Sequence, residues 1–253
     1  MKFSRELAGV GAALAALTLA ACASSAGAEQ AVQQETESSP SPVSKSKIEP
    51  TPVPSVPNKW SPASGDKTVY LTFDDGPGPS TERVLDVLKQ NDVKATFFII
   101  GKMIRTREDD LKRVYADGHY VGDHTWDHAN LAAMNASQID RQLNKAAAAI
   151  GPKMGPCFRP PYGALDNEAR KLAQSYGMTP ILWSRDTNDW NKASKDQIYN
   201  VLMGAKPGDV ILMHDGGGDR SNTADALAEA LPKLKDKGFN FDRVPVCKPA
   251  DGS

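Results

Sequence analysis

The sequence has little of what a nucleic-acid-binding or membrane-spanning protein needs. Its 253 residues include 30 Lys and Arg against 31 Asp and Glu, and the formal net charge is -1. Without a positive surplus or a run of basic residues, no nucleic acid is expected as a partner. The uncharged, mostly apolar stretch 7–21 is shorter than the roughly 20 residues of a membrane-spanning helix. We also find no internal repeat.

The stretch 7–21 follows Lys2 and Arg5, an arrangement typical of a secretory signal. It ends in Leu-Ala-Ala-Cys at 19–22, which resembles the lipobox of bacterial lipoproteins. The resemblance implies a signal peptide over 1–22, a lipid on Cys22, and an exported protein anchored to the bacterial membrane and facing the cell wall. Cleavage near Ala21 or Ala28 would instead leave a soluble secreted protein.

Aromatic residues are absent between Phe3 and Trp60. Residues 23–66 are rich in Pro, Ser, Ala and Glu, and such a segment buries too little apolar surface to offset the entropy of ordering it. We therefore predict a disordered tether over 23–66 and a globular domain over 67–253.

Cysteine is scarce, with three residues in the chain. If Cys22 carries a lipid, Cys157 and Cys247 remain in an oxidising compartment and either form a disulfide or stay as two buried thiols. The sequence does not give their separation, so both alternatives stay open.

From Lys67 onward, short apolar runs alternate with amphipathic segments, which predicts an α/β fold with a parallel sheet, open or closed into a barrel. The expected strands are 68–73, 95–100, 120–122, 179–183, 210–213 and 239–244, and the expected helices are 81–90, 105–117, 137–150, 166–176, 194–203 and 223–237. In both architectures ligands meet the carboxyl ends of the strands.

Polar side chains follow several of these strands. Asp74 and Asp75 come directly after the first strand, so one could bind a metal while the other activates water. The alternative is a simple turn before Gly76 and Pro77.

His124 and His128 are four residues apart, and on a helical turn they would share one face. Together with Asp75 they would supply the three protein ligands of a zinc site. Two imidazoles and one carboxylate also suit iron or cobalt. The alternative is a pair of surface histidines near Asp123 and Asp127.

Four further residues could belong to the same site. Arg159 lies in Arg-Pro-Pro-Tyr-Gly and could hold a carboxylate, or could be an exposed side chain on a tight turn. His214 ends a strand, where Asp189 could orient it for proton transfer. Trp190 either lines a pocket or belongs to the core.

Taken together, these segments resemble the NodB-type polysaccharide deacetylases, carbohydrate esterase family 4. The motifs occur in the order of that family: Thr-Phe-Asp-Asp-Gly-Pro (72–77), His-Thr-Trp-Asp-His (124–128), Arg-Pro-Pro-Tyr-Gly (159–163), Asp-Thr-Asn-Asp-Trp (186–190) and Leu-Met-His-Asp (212–215). Two departures are visible: Asp123 stands where many members have Asn, and Ala129 where Pro is common. Asp123 could strengthen cation binding or simply face solvent.

The resemblance implies a distorted, incomplete (β/α) barrel that binds one divalent metal ion, zinc, with cobalt or another transition metal as the alternative. The roles it implies are a general base for Asp74, metal ligands for Asp75, His124 and His128, base orientation for Arg159, an oxyanion-binding backbone N–H for Tyr162, tuning of the acid for Asp189, a pocket wall for Trp190, an acetyl-pocket lining for Leu212 and a general acid for His214.

The implied activity is removal of N-acetyl groups from N-acetylglucosamine polymers, either peptidoglycan or chitin-type oligomers. The alternatives are an acetylxylan esterase and a non-catalytic carbohydrate-binding protein on the same fold. We expect a carbohydrate polymer and, through Cys22, the membrane as partners, and a monomeric protein.

Overall fold

The computed structural model describes residues 58–61 and 63–250. Strands and helices alternate in the order β1 (Thr68–Gly76), α1 (Thr81–Gln90), β2 (Thr96–Ile99), α2 (Glu108–Ala116), β3 (Tyr120–Asp123), α3 (Ala136–Ile150), β4 (Cys157–Phe158), α4 (Asn167–Ser175), β5 (Thr179–Pro180), β6 (Arg185–Asp186), α5 (Lys195–Met203), β7 (Val210–His214), α6 (Ser221–Asp236) and β8 (Asn240–Asp242). Among the described helices, none has the length and apolar character to cross a bilayer.

The strands form a curled, parallel half-barrel in the order β5-β4-β3-β2-β1-β7-β6, and β8 pairs with the start of β1. The predicted α/β fold with an incomplete barrel is confirmed. Residues 69–74 of the central strand β1 are all buried, as expected for a parallel strand that is covered on both faces. Helices α1 and α6 supply part of this cover, and their residues Val84, Leu88, Leu227 and Leu231 share one apolar core with β1.

The predicted helix over 105–117 is wrong in its first part. The segment Gly101–Thr106 is a 3₁₀ helix, and α2 begins only after Arg107, whose φ of -142° is not helical. Gly101 lies so close to α3 that an added Cβ would be 2.8 Å from the Cα of Ala146. The interruption between the 3₁₀ helix and α2 thus lies next to a contact between segments that are distant in sequence. Sequence periodicity does not reveal such a contact.

The predicted strand over 179–183 is also shorter than expected, because β5 ends at Pro180. The carbonyl oxygens of Ile181 and Leu182 accept hydrogen bonds from the guanidinium of Arg159, at 3.3 and 3.2 Å. A buried side chain therefore occupies the backbone acceptors that a longer strand would use.

Packed structure extends into the C-terminal end of the predicted tether. The backbone N–H of Trp60 donates to the carbonyl of Gly208 at 3.0 Å, and Lys59 forms an ion pair with Asp209 at 3.4 Å. The Trp60 ring lies 5.7 Å from the ring of Tyr70. Residues 59–60 thus dock on the domain, whereas Cys22 and the rest of the predicted signal and tether up to residue 57 lie outside the described residues.

Candidate active site

The polar side chains collect at one edge of the sheet because the strands that carry them are parallel. Asp74 near the end of β1 stands opposite His214 at the end of β7 in the strand register. His124 follows β3 directly. The site is therefore built from the carboxyl ends of three strands, as predicted for this fold class.

Asp75, His124 and His128 converge on a small space. The Nε2 atoms of His124 and His128 lie 3.4 and 3.3 Å from Oδ1 of Asp75. This oxygen is buried, and within residues 58–61 and 63–250 it has no hydrogen-bond partner. The three ligand atoms lie within 4.8 Å of one another. A buried carboxylate oxygen without a partner, beside two imidazoles, fits a divalent transition metal.

The other ring nitrogens of the two histidines have partners of their own. Nδ1 of His124 lies 2.7 Å from the carbonyl oxygen of Arg159, and Nδ1 of His128 lies 3.1 Å from the hydroxyl of Tyr162. Because a carbonyl only accepts, His124 carries its proton on Nδ1, which leaves the lone pair on Nε2 free. This is the usual arrangement around a metal-binding histidine.

The charges of these groups suit a cation. Burial opposes ionisation of Asp75, but the charged form of the His124 imidazole, helped by His214 and His128, outweighs it and lowers the pKa of Asp75 to about 2. Burial likewise disfavours the charged form of His124, yet the carboxylates of Asp74 and Asp75 raise the pKa of His124. The negative potential that raises this pKa also attracts a metal ion.

The loop that carries both histidines is not helical, so the predicted helical turn is wrong. Thr125 and His128 have left-handed φ angles of 68° and 65°. Side chains replace the missing helical hydrogen bonds. Oδ1 of Asp123 accepts from the N–H of Thr125 at 2.6 Å, and the Thr125 hydroxyl accepts from the N–H of His128 at 3.1 Å. From α3, Oε1 of Gln142 accepts from the N–H groups of the two residues in between, at 3.0 and 3.2 Å.

Asp123, the first departure from the family pattern, does not face solvent. Its exposed fraction is 0%, and within the described chain its Oδ2 has no hydrogen-bond partner. Burial raises the pKa of Asp123 to about 7. In the structure, Asp123 supports the site by accepting the hydrogen bond from the N–H of Thr125, which stabilises the turn between the two histidines.

Arg159 is fully buried beside Asp74, so an exposed arginine on a turn is excluded. Its Nη1 donates to Oδ1 of Asp74 and to the hydroxyl of Thr72, both at 2.8 Å. Its guanidinium also stacks 4.2 Å from the ring centre of Phe98. These contacts fix one oxygen of the Asp74 carboxylate and leave the other, Oδ2, on the side of His124, at 3.8 Å.

His214, at the end of β7, is paired with Asp189. Oδ1 of Asp189 accepts from Nδ1 of His214 at 2.7 Å, and Oδ2 accepts from the backbone N–H of the same residue at 2.8 Å. Burial disfavours the charged imidazolium, but the hydrogen bond and charge of Asp189 outweigh it and raise the pKa of His214. The pair therefore favours an imidazole that holds a second proton.

These groups open into a cavity of about 360 Å³. Tyr162 and Trp190 stand at its rim and are 70% and 52% exposed, so Trp190 is not a core residue. Leu212 lines its wall. Tyr162 has a left-handed φ of 61° in the tight turn Pro161–Gly163. The cavity thus combines an apolar wall and aromatic rim with the metal-binding set and two proton-transfer candidates.

Comparison with known proteins gives the family of the chain. The sequence model of the polysaccharide deacetylase family matches residues 61–181. A peptidoglycan-N-acetylglucosamine deacetylase of Bacillus cereus is 37% identical over 191 residues, which are 73% of this chain and 90% of the relative. The chain belongs to the polysaccharide deacetylase family. Its similarity to these proteins supports a deacetylase.

A second sequence relative and one solved structure are also similar to this chain. A chitooligosaccharide deacetylase of Rhizobium leguminosarum bv. trifolii is 35% identical over 198 residues, 72% of this chain and 92% of the relative. The crystal structure of the Bc1960 peptidoglycan N-acetylglucosamine deacetylase in complex with a hydroxamate-type benzamide superimposes with a TM-score of 0.68 at 38% identity, covering 72% of this chain and 88% of that one.

The polysaccharide deacetylase domain also contains one cross-link. Cys157 of β4 and Cys247 near the C-terminus form a disulfide, with Cα atoms 5.1 Å apart. Of the two alternatives left open above, the structure has the disulfide. Cys22, the proposed lipid site, lies outside the described residues.

Two residues that support the deacetylase site were missed from sequence. Asp215 is fully buried and accepts a hydrogen bond from the Thr81 hydroxyl. The carboxylate of Asp215 packs closely against the turn after Asp75, because a Cβ added to Gly76 would lie 2.4 Å from Oδ2 of Asp215. Asp215 could have been predicted as a site residue, because it directly follows His214 in the sequence. Gln142 offered no such signal, because it lies within a helix and far along the chain from its partners.

Proposed function

We propose that this chain hydrolyses N-acetyl groups of an N-acetylglucosamine polymer with one divalent metal ion, zinc, or alternatively cobalt or another transition metal. The observation that supports this most is that one cavity is lined by the ligand set, by Asp74 and by His214. Arg159 is paired with Asp74, and Asp189 is paired with His214. A base and an acid beside a Lewis-acid site are what amide hydrolysis requires.

The residues divide the reaction between them. Asp75, His124 and His128 would hold a divalent cation, which would supply Lewis-acid polarisation of the acetyl carbonyl and a lower pKa for a water molecule. Asp74, held by Arg159, accepts the proton of the attacking water. The backbone N–H of Tyr162 donates to the oxygen that becomes negative.

His214 completes the reaction by protonating the departing nitrogen. An amine leaves poorly without a proton, so an acid is needed more for an amide than for an activated ester. The carboxylate of Asp189 keeps Nδ1 of His214 protonated and turned away from the cavity, so the opposite nitrogen, Nε2, carries the proton that is transferred.

The polymer is inferred from the rim of the cavity and from the relatives. Trp190 and Tyr162 present exposed rings that suit the apolar face of a sugar. The relatives named above act on peptidoglycan and on chitooligosaccharides, both of which contain N-acetylglucosamine. We place peptidoglycan first, because the resemblance of residues 19–22 to a lipobox predicts an exported protein held beside the cell wall.

The location is a separate proposal that rests on sequence alone. We infer that a lipid on Cys22 holds a monomeric enzyme at the membrane, with the tether spanning the distance to the wall. Mass spectrometry of the mature N-terminus is the test. An unmodified N-terminus near Ala21 or Ala28 would indicate a secreted enzyme instead.

One assay distinguishes the candidate activities. Acetate release by the purified chain is measured on N-acetylglucosamine oligomers, peptidoglycan and acetylated xylan, with and without chelator, and after addition of Zn²⁺ or Co²⁺. We expect release from the first two substrates, loss with chelator and recovery with metal. Release from xylan alone would indicate an esterase, and no release by folded, metal-loaded protein would indicate a binding protein.

A further inference from the structure

The carboxylate of Asp189 receives a hydrogen bond from a residue outside the family motifs. Besides its two bonds with His214, its Oδ2 lies 2.8 Å from the hydroxyl oxygen of Thr223. Because a carboxylate only accepts, the Thr223 hydroxyl is the donor. Asp189 thus receives donors on both oxygens, and one of them comes from helix α6.

Thr223 is placed for this contact by the first turn of α6. Its exposed fraction is 1%. A threonine near a helix start often caps its own helix. Here the N-cap residue is Arg220, which makes no side-chain capping bond within the described structure, and the Thr223 hydroxyl goes to Asp189. Nη1 of Arg220 also donates to the carbonyl of Asp189, at 3.2 Å.

Asp189 needs such support because its own backbone segment is short and irregular. It begins the 3₁₀ turn Asp189–Asn191, and the flanking residues Asn188 and Lys192 both have left-handed φ angles, of 55° and 58°. No regular helix or strand fixes the side chain. The donors on the two oxygens fix the rotation of the carboxylate plane, and hence the direction in which the His214 imidazole is held.

We propose that Thr223 is a positioning residue for His214, acting through Asp189. The inference rests on the proposed function, in which His214 protonates the leaving amine. Loss of the Thr223 hydroxyl leaves Oδ2 with one donor fewer and the imidazole less well aligned. Hydrolysis of an amide, whose leaving nitrogen needs a proton, should slow. Hydrolysis of an ester whose leaving group needs no proton should keep its rate.

The experiment compares two substrates with different leaving groups. Full-length, metal-loaded wild type, Thr223→Val and Thr223→Ser are assayed on N-acetylglucosamine oligomers and on 4-nitrophenyl acetate, whose phenolate leaves without protonation. Thr96→Val is the matched control: Thr96 is equally buried, but its hydroxyl bonds to the N–H of Val244. The low-field proton signal of His214 Nδ1, assigned by its absence in His214→Ala, is recorded for each variant.

We expect Thr223→Val to lower kcat on the oligomers about tenfold, with KM changed by less than about twofold, and to leave the ester rate near that of wild type. Its Nδ1 proton signal should shift or broaden. Thr223→Ser should keep the kcat on the oligomers and the Nδ1 proton signal close to those of wild type. Thr96→Val should change neither this kcat nor this signal.

Equal losses on amide and ester, an unchanged oligomer rate, or no recovery in Thr223→Ser would each overturn the assignment of Thr223. A wild type that is folded and metal-loaded but inert on every oligomer would instead overturn the proposed function, and this inference with it.

Discussion

Asp74 and His214 are register partners on the neighbouring strands β1 and β7 and are assigned opposite proton transfers. Asp74→Asn keeps the shape of the side chain but removes the base, and His214→Ala removes the acid. Each should lower kcat for acetate release from N-acetylglucosamine oligomers about 10²-fold or more, because each deletes one step of proton transfer.

The control for Asp74→Asn is Asp196→Asn, since Asp196 is 82% exposed and lies outside the cavity. It should retain wild-type kcat. Turnover near the wild-type rate in Asp74→Asn or His214→Ala, measured with bound metal, would refute that residue's role.

His119 is a single residue whose protonation affects stability rather than catalysis. It is buried, and its Nδ1 accepts from the N–H of Ala95 at 3.1 Å. Burial, reinforced by the charge of Lys94, lowers the pKa of His119 to about 4. The unfolded chain takes up this proton below about pH 6.5 and the folded protein only below about pH 4. Stability should therefore fall as pH drops between these values, by about 3 kcal/mol in total.

The test is the free energy of unfolding in urea, measured from pH 7 to pH 4. His119→Asn places an oxygen where Nδ1 accepts and cannot gain a proton. We expect it to be less stable at pH 7 but to lose less stability on acidification than wild type. Parallel pH curves for the two proteins would show that another group is responsible.

At the scale of elements, helix α3 supports the metal site through one side chain. Gln142 bonds to two backbone N–H groups between His124 and His128. Gln142→Leu removes this acceptor at similar volume and takes a side-chain partner away from the backbone N–H groups of Trp126 and Asp127. We expect metal affinity to fall about 10- to 100-fold, as for other residues that support metal ligands, in a competition titration with a coloured chelator.

Gln142→Glu keeps the acceptor oxygen and should remain within a few-fold of wild-type affinity. Gln174→Leu on α4, where Gln174 is exposed, is the control for the substitution itself. Unchanged metal affinity in Gln142→Leu would show that the loop keeps its conformation without α3.

At the scale of the whole molecule, the Cys157–Cys247 disulfide joins β4 to the C-terminal segment across 90 residues of sequence. Cross-linking such distant positions restricts the unfolded chain, and its loss should cost ~2–4 kcal/mol of unfolding free energy. Urea unfolding of Cys247→Ala measures this loss. Reductant should lower the unfolding free energy of wild type toward that of Cys247→Ala and should leave the unfolding free energy of Cys247→Ala unchanged. Equal unfolding free energies of the two proteins without reductant would contradict the expectation.

The sequence by itself determined the alternation of the longer strands and helices, the parallel sheet, and the residue types at the strand ends, but not the two-residue strands β4 and β6. These features are local: periodicity reports which face of an element is buried, and Asp74, Asp75, His124 and His214 lie within or directly after their strands. The carboxyl ends of parallel strands then meet at one edge, whatever the details of packing.

Only the tertiary structure decided how these residues are held. The burial of Arg159, the left-handed loop of Thr125 and His128, the break before α2, and the contacts of Gln142 and Thr223 all depend on segments that meet in space but are distant in sequence. No local pattern encodes such contacts. Each donor or acceptor takes the partner that packing brings within reach, because a buried polar group without one costs free energy.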